Sequence, residues 1–438
     1  MMKLFFFSLS LIFFIKKLNM LQNLIFLMSF FMIFNLSNLM YYMISLNFSL
    51  NLFSFGLILL TFWISSLMLM SIKLINKNYL CSFLIFMLMN ILFLAFSSMN
   101  LFMFYLFFEI SLIPTFIMII YWGLGSQRIL ASYYFMFYTM IFSLPFMLIL
   151  FHLDSIFGSL SFMLVFYYSV SMEKLLMLMM IMCFLVKVPF YLIHSWLLKA
   201  HVEAPVFGSM VLASLLLKLG GYGIILLMNL FYDNFSINMK NMFFMLSLIG
   251  SLILSILCMC QVDLKILVAY SSIVHMGMML CGIFSMMKIG VLGGYLMMIS
   301  HGFSSSGLFY LVNVNYERLN SRSIFLNKGL MNFMPKMSFM WFLLCSSNMA
   351  VPFTLNLVSE LFLIMSIMIF NLNLMILIIL ICFFSFMYSL YLFSWVQHGN
   401  YIKIKNFNSG KMLEYVNLLL HWVPLNLFIF NLSILVSS

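Results

Sequence analysis

Six ionisable side chains lie within long apolar stretches of this sequence, where charged residues are otherwise scarce. Two are acids, two are amines and two are imidazoles. A charged group at the centre of a bilayer costs about 2.5 to 3.5 kcal/mol unless it is paired or hydrated, so such groups usually serve ion or proton transport. Imidazoles titrate near neutral pH and suit proton transfer between acids and amines. We therefore predict a catalytic proton relay formed by Glu109, Lys187, Lys218, His275, His301 and Glu360.

A purely structural role is the alternative for these residues. Two acids and two amines can form two buried salt bridges that only fix the packing of helices, and a single buried histidine is more often a hydrogen-bonded packing residue than a proton carrier. Buried ion pairs are weak evidence for stability, however, because apolar replacements of similar volume often do as well. The relay is favoured because both histidines lie between Lys218 and Glu360 in chain order.

The composition indicates that lipid surrounds the elements that hold these residues. Of 438 residues, 66% are hydrophobic and 7% are charged, whereas an average soluble domain is about 25% charged. So few charges cannot cover the surfaces of soluble domains, and a soluble globular protein is excluded. One span takes about 20 apolar residues. The apolar runs predict an all-α polytopic membrane protein with about 14 transmembrane helices.

Two of the predicted spans are interrupted next to a relay residue. Pro189 follows Lys187 by two residues in segment 7, and Pro352 precedes Glu360 by eight in segment 12. A proline within a helix removes a hydrogen bond and frees a carbonyl, which is tolerated in a membrane where it lines a cavity or finds another partner. Interrupted helices at matching places in two halves are typical of transporter sites. We predict discontinuous helices 7 and 12 in two inverted five-helix repeats.

This pattern divides the chain into four expected parts. Residues 1–79 hold helices 1 to 3, and residues 80–230 hold the first five-helix repeat, helices 4 to 8. Residues 242–396 hold the second, inverted repeat, helices 9 to 13. Residues 397–438 hold a loop and helix 14.

The cations orient the predicted spans. The net charge is +11, but the lysines and arginines occur singly between apolar runs, without the basic stripe of a nucleic-acid-binding protein. If both termini face outward, 14 of the 20 cations fall on inward loops, as the positive-inside rule requires. A span over residues 155–172 would destroy this asymmetry, so we predict an outward loop or an interfacial helix there. Lys73, Lys77, Lys403 and Lys405 are among the inward cations.

Other features bear on chemistry and origin. The seven cysteines include no Cys-x-x-Cys pair, and we expect no metal site or disulfide. Phe and Met together make 100 residues, while residues with GC-rich codons are few, which indicates an AT-rich gene of the kind found in animal mitochondrial genomes. The polar stretch 313–336 is either a loop that touches a soluble neighbour or a solvated linker.

Five long ordered motifs carry a resemblance to a known family. The strongest is the run FLVKVPFYLIHSWLLKAHVEAPVFGSMVLASLLLKLGGY at Phe184–Tyr222. Four more stretches agree: FEISLIP from Phe108, QVDLKILVAYSSIVHMG from Gln261, SHGFSSSGLFYLVNVNYERLNSR from Ser300, and NMAVPFTLNLVSELF from Asn348. Over about residues 80–395 the sequence resembles the proton-translocating antiporter-like membrane subunits of respiratory complex I.

The resemblance implies roles for the six residues. Glu109 corresponds to a helix 5 glutamate that pairs with the helix 7 lysine, Lys187, and Lys218 corresponds to the helix 8 lysine. His275 and His301 belong to a polar central axis, and Glu360 to the exit half. The chain is then a proton-pumping subunit of NADH:ubiquinone reductase without a redox site of its own.

The resemblance also implies cofactors, partners and location. The chain holds no cofactor, since NADH, FMN, iron–sulfur clusters and ubiquinone are bound by other subunits. Its partners are other membrane-arm subunits, including antiporter-like chains 2 and 5, and lipids such as cardiolipin, with no nucleic acid. The expected location is the mitochondrial inner membrane, with both termini on the intermembrane-space side. A non-conducting scaffold of the same assembly and a sodium/proton antiporter are the alternative functions.

Overall fold

A computed structural model describes residues 2–34, 48–72, 79–167, 173–232, 235–399 and 409–436. Within these ranges the ordered elements are helices, together with three isolated β-bridges, Phe48–Ser98, Asn100–Ser161 and Asp263–Ser323. The prediction of an all-α polytopic protein is confirmed. Long apolar runs without surrounding water favour helices because a helix satisfies its own backbone hydrogen bonds.

The chain forms two compact units. The first comprises Met1–Val188, Glu203–Lys240 and Ser433–Ser438, and the second comprises Pro189–Val202 and Asn241–Leu432. Each is described by itself below. The four-part division expected from the sequence stays a prediction.

The first unit contains the N-terminal helices and the elements that carry Glu109, Lys187 and Lys218. A 3₁₀ turn at Leu11–Phe14 follows its first helix, and a π turn at Leu212–Leu216 precedes its last long one. The helices are α1 (Met2–Ser10), α2 (Leu18–Phe34), α3 (Leu52–Ile72), α4 (Tyr79–Ser97), α5 (Leu101–Ile110), α6 (Leu112–Trp122), α7 (Arg128–Phe157), α8 (Phe162–Tyr167) and α9 (Lys174–Lys187), and after α10 of the second unit, α11 (Val206–Val211) and α12 (Leu217–Leu230).

The second unit contains the elements that carry His275, His301 and Glu360. A 3₁₀ turn at Leu372–Leu374 precedes α19. The helices are α10 (Ser195–Glu203), α13 (Ile237–Met259), α14 (Leu264–Phe284), α15 (Lys288–Leu319), α16 (Leu330–Phe333), α17 (Pro335–Asn348), α18 (Leu355–Phe370), α19 (Met375–Gln397) and α20 (Met412–Phe430); the terminal α21 (Ser433–Val436) belongs to the first unit.

The predicted break in segment 7 is confirmed. Helix α9 ends at Lys187, and helical structure resumes at Ser195 in α10. Pro189 has no N–H to bond the carbonyl four residues earlier, so it stops the helix. Leu192 in the break has φ 83°, in the left-handed region that side chains other than glycine rarely adopt.

The predicted break in segment 12 is confirmed as well. It separates α17 from α18 and contains Pro352, with Ala350 at φ 55° and Phe353 at φ 69°. The buried Asn356 side chain bridges this break, since its Nδ2 donates to the Ser347 carbonyl at 2.7 Å. The same carbonyl accepts the backbone N–H of Ala350 at 3.3 Å, so Asn356 adds a second and shorter hydrogen bond near the end of α17.

Nine helices in the described ranges are long and apolar enough to cross a membrane, and three shorter apolar helices accompany them. Helix α9 has 14 residues, which span only about 21 Å at 1.5 Å per residue. A predicted span that is broken in this way is therefore not counted among the nine long helices. The count of 14 spans stays a prediction. Lys73, Lys77, Lys403 and Lys405, on which the orientation partly depends, lie outside the described residues.

Two stretches that the sequence left between spans are partly helical. In the stretch 155–172, α7 continues to Phe157 and α8 covers Phe162–Tyr167, while residues 168–172 lie outside the described part. In the stretch 313–336, α15 continues to Leu319 and ends at Asn320, which has φ 50°. The polar residues at the start of the second stretch therefore lie on a helix and not in a loop.

Candidate functional site

Glu109 is positioned by a local interruption of helical structure in the first unit. Its helix, α5, ends one residue later, and α6 starts at Leu112. Pro114 explains the junction because it cannot donate to the carbonyl of Ile110, four residues earlier. The Glu109 side chain lies near the Ser143 hydroxyl of α7, and its buried Oε1 atom has no hydrogen-bond partner among the described residues.

Lys187 is the last residue of α9, and 2% of its surface is exposed. Its Nζ donates to the Phe108 carbonyl at 2.8 Å and lies 3.0 Å from the centre of the Phe108 ring. No ion pair joins Lys187 directly to Glu109 in the described part of the chain, but the two charges are close enough to interact. Lys187 therefore holds its charge against the backbone carbonyl and the ring face of Phe108, the residue that precedes Glu109.

Lys218 is fully buried at the start of α12, directly after the π turn. Its Nζ donates to the carbonyl of Ala213, which belongs to that turn. A π turn widens the helix and frees carbonyls from the usual i to i+4 pattern, and such turns are frequent at functional sites. The turn thus provides an acceptor for a buried ammonium within the same segment.

Gly220 brings α12 close to the end of α9. A Cβ atom at this position would lie 2.8 Å from Val188 Cγ2 and 3.0 Å from Lys187 Cβ. These distances are shorter than side-chain contacts normally allow, so a glycine is needed where the two helices meet. We call Glu109, Lys187 and Lys218 the lysine cluster.

The second unit brings the other three predicted residues together. His275 on α14 lies with its Nδ1 3.7 Å from Glu360 Oε1 on α18, and its ring centre lies 5.7 Å from that of His301 on α15. His275 and His301 are buried, whereas 19% of the Glu360 side chain is exposed. Protonated His275 would form an ion pair with this carboxylate.

Sequence reasoning missed a fourth member of this group, Tyr388 on α19. Its hydroxyl lies 3.2 Å from Nε2 of His275, and the side chain is fully buried. A pocket beside these residues is lined by His275, Glu360, Cys382 and Ser385, with apolar side chains completing it. We call His275, His301, Glu360 and Tyr388 the histidine cluster. The signal for Tyr388, a hydroxyl in an apolar run, is too common to single out in a sequence.

The described residues place the six sequence-predicted groups in two sets, one in each unit. Ser143 and Tyr388 extend the sets, and neither was selected from the sequence. Lys265 is a further buried cation, since it is the second residue of α14 and 1% exposed. Within the described ranges no group of three or more His, Cys, Asp or Glu side chains is placed to hold a metal ion. Both sets suit proton transfer, which needs only acids, bases and hydroxyls.

Comparison with known protein sequences gives long matches. The family described as NADH:quinone oxidoreductase/Mrp antiporter, TM matches residues 98–386. The chain is 49% identical over 400 residues to NADH-ubiquinone oxidoreductase chain 4 of Apis mellifera ligustica, which covers 91% of this chain and 89% of the relative. It is 46% identical over 438 residues to the chain of the same name from Aedes aegypti, covering 98% of each.

Solved structures share the fold. Respiratory complex I from Thermus thermophilus with bound NADH contains a chain that matches with a TM-score of 0.87 at 21% identity, covering 98% of this chain and 96% of that one. The Mrp complex from Dietzia sp. matches with a TM-score of 0.84 at 15% identity, covering all of this chain and 51% of that one. Because the family match covers more than half of the sequence and the relatives almost all of it, the chain belongs to the NADH:quinone oxidoreductase/Mrp antiporter family of membrane proteins.

Proposed function

We propose that this chain is a proton-translocating membrane-arm subunit of respiratory complex I, and that the lysine and histidine clusters carry its protons. The identity to relatives named NADH-ubiquinone oxidoreductase chain 4 supports the assignment to that complex. The observation that carries the proton function is the placement of Lys187, buried beside Phe108 at the broken end of α9 with its charge acting on Glu109. A stable direct ion pair would not leave the amine free to change partner.

In this mechanism the redox reaction of the complex changes the distance between the charged groups of the lysine cluster. When Lys187 and Glu109 move apart or together, the electrostatic free energy of the other buried charges changes, since buried pairs interact strongly in a low dielectric medium. Lys218 holds a proton against the Ala213 carbonyl and releases it when its surroundings become more positive. Each step moves one proton between groups and forms no covalent intermediate.

The histidine cluster has the groups needed for proton release. His275 accepts a proton on one ring nitrogen and donates one from the other, which allows transfer between His301, Tyr388 and Glu360. The partial exposure of Glu360 and the adjoining pocket support its assignment to the exit half. All six residues predicted from the sequence remain in the proposal, together with Tyr388.

The finer assignments belong to the same proposal. The chain carries out no redox chemistry itself, and NADH, FMN, iron–sulfur clusters and ubiquinone are bound by other subunits. Its neighbours include antiporter-like chains 2 and 5, and lipids such as cardiolipin contact its surface. It lies in the mitochondrial inner membrane with both termini on the intermembrane-space side, and its four parts correspond to residues 1–79, 80–230, 242–396 and 397–438.

The test is the number of protons pumped per electron by intact complex I that contains Lys187→Ala or Glu109→Gln. We expect the ratio to fall while the complex still assembles and oxidises NADH. Lys174→Ala, at the exposed start of the same helix, is the control and should leave the ratio unchanged. A normal ratio in both cluster variants with intact assembly would contradict the proton function and favour a scaffold.

Sodium/proton exchange is a second candidate, because the fold also matches a chain of the Mrp complex. The two functions differ in their ion dependence and in their partners. Proton flux that requires sodium and persists without flavin and iron–sulfur subunits would support exchange. Proton flux that needs NADH oxidation and is unaffected by sodium would support the pump.

A further inference from the structure

A second group of polar residues, buried except at its outer end, lies between α15 and α20, within the second unit and apart from the histidine cluster. It starts where the C-terminal end of α15 meets the N-terminal end of α20. From there it follows one face of each helix towards the interior. We call this group the polar column; its members are Tyr310, Asn313, Glu317, Arg318, Glu414, Asn417 and His421.

The outer end of the column is a network of charged groups. Glu317 is exposed and accepts a hydrogen bond from Asn313 Nδ2 at 2.7 Å. Arg318 Nη2 lies 2.6 Å from Glu414 Oε2, and the two side chains are 6% and 1% exposed. Glu414 Oε2 also accepts the N–H of Lys411 at 3.1 Å. Exposed Glu317 and buried Glu414 are close enough for their charges to interact.

The inner part of the column ends at His421, which is fully buried. Its Nδ1 lies 2.8 Å from the Asn417 carbonyl, so Nδ1 carries the hydrogen and Nε2 of the neutral ring has a free lone pair. Tyr310 stacks on this ring, with an interplanar angle of 18°. The imidazole is thus fixed by a hydrogen bond on one side and a ring on the other, and its basic nitrogen is oriented.

Several buried polar atoms of the column, among them Tyr310 Oη, Glu414 Oε1 and His421 Nε2, have no hydrogen-bond partner among the described residues. A buried polar atom without a partner destabilises the folded state, and in folded proteins such atoms usually bind ordered water. A column that served only to pin two helices together would be more stable with apolar side chains at Glu414 and His421. These atoms point to a path for water and protons.

The polar column also approaches the histidine cluster along α15. His421 packs against α15 at Gly307, where an added Cβ would lie 3.3 Å from His421 Cβ. Three consecutive buried serines, 304 to 306, lie between His301 and Gly307 in the sequence of α15. Their side chains project in successive directions around the helix. Ser305 Oγ donates to the His301 carbonyl at 2.6 Å. Hydroxyls therefore lie between the face of α15 that meets α20 and the face that carries His301.

We propose that the polar column is a proton uptake branch that supplies the histidine cluster, an inference that rests on the proposed function. In the predicted topology its outer end faces the matrix. A proton from water passes Glu317 and reaches His421 through water bound at Glu414 Oε1. Nε2 takes it up, the ring becomes an imidazolium with Nδ1 still bonded to Asn417, and Nε2 then gives one proton to the serine hydroxyls and returns to the neutral state.

The test compares intact complex I with His421→Gln, Lys187→Ala or both changes, by protons pumped per electron. Glutamine keeps a polar side chain of similar length but cannot carry a proton as imidazole does. We expect His421→Gln to lower the ratio as much as Lys187→Ala, and the double variant to show no further loss, because the charge change at Lys187 drives the protons that the column supplies. Tyr415→Phe on the same helix is the control and should keep the full ratio.

The outcomes separate the two proposals. A reduced ratio with Lys187→Ala and a normal ratio with His421→Gln would overturn the uptake branch and leave the pump intact. A normal ratio with Lys187→Ala would overturn the proposed function itself. If His421→Gln prevents assembly, a high-resolution structure of the unmodified complex decides the point: ordered water between Glu414 Oε1 and His421 Nε2 is expected, and a dry, closed interface would overturn the branch.

Discussion

Tyr388 and His275 face each other in the interior of the second unit, with the tyrosine hydroxyl 3.2 Å from the imidazole Nε2. The other ring nitrogen, Nδ1, lies 3.7 Å from Glu360. A neutral imidazole has one donor and one acceptor, whereas an imidazolium has two donors. When the neutral ring carries its hydrogen on Nδ1, towards Glu360, the tyrosine hydroxyl donates to Nε2, whereas the imidazolium donates from Nε2 to the hydroxyl. Its orientation is coupled to the protonation of His275.

Tyr388→Phe should lower the number of protons pumped per electron while NADH oxidation continues. The change removes one hydrogen bond, worth about 1 kcal/mol net, which is about a fivefold change in how often the ring is held in this orientation. The measurement is proton pumping by the intact complex in vesicles. Tyr391→Phe, on the same helix and half-buried, is the matched control. Equal pumping by both variants would show that the hydroxyl has no part in transfer.

Glu360→Gln should block proton release and reduce pumping more than Tyr388→Phe does. The amide keeps the volume of the side chain but cannot accept a proton from His275 or form an ion pair with it. Pumping and NADH oxidation should be measured on the same preparation, so that loss of coupling is distinguished from loss of assembly. Glu173→Gln, at an exposed position before α9, should behave like the unmodified chain. The proposed exit role fails if Glu360→Gln pumps normally.

Gly220→Ala should destabilise the first unit and disturb Lys187. The added methyl group would meet Val188 and Lys187, and overpacking of this kind costs about 1 to 3 kcal/mol. The expected result is a lower thermal unfolding temperature of the complex together with reduced pumping. Gly294→Ala is the control, because the added Cβ would lie 3.1 Å from its nearest neighbour, a side-chain atom of Ile283. An unchanged unfolding temperature for Gly220→Ala would mean that α9 and α12 can separate freely.

Asn356→Ala should weaken the break between α17 and α18. The buried Ser347 carbonyl would lose the 2.7 Å hydrogen bond that crosses the break and keep only the 3.3 Å bond from the Ala350 N–H, at a cost of about 0.5 to 1.5 kcal/mol. Thermal unfolding of the complex measures the effect, and Asn373→Ala at an exposed position provides the baseline. If both variants unfold at the same temperature, another group must satisfy that carbonyl.

Much of the fold could be predicted because its causes are local. Apolar runs of about 20 residues form helices in lipid, and Pro189 and Pro352 interrupt helices wherever they fall. Helix ends that depend on tertiary packing were harder to predict from the sequence. The polar sequence after Asn313 predicts a loop, but α15 continues to Leu319, where Arg318 contacts Glu414 nearly 100 residues later. A sequence pattern does not reveal such a distant partner.

The candidate site was predictable to a different degree for different residue types. Charged residues and histidines in apolar segments are rare enough to be noticed, so six relay residues could be named from the sequence. Tyr388 and Ser143 carry hydroxyls, which are common in these helices, and only the tertiary contacts distinguish them. Glu414 and His421 belong to the rarer residue types and were still not singled out, because their importance depends on contacts with α15 that the sequence does not reveal.

Because of the π turn at Leu212–Leu216, the effect of a deletion or an insertion on the hydrogen bond of Lys218 depends on where the chain length changes. Such a turn takes up one more residue than an α-helical turn, so the helix before and after it keeps the same rotational phase. Deletion of a single residue there would leave α11 and α12 facing their present neighbours but would remove the carbonyl that Lys218 now bonds. Insertion of a residue outside the turn would rotate every following side chain by about 100°. The binding partner of this lysine is therefore encoded in the number of residues in the turn as well as in their identity.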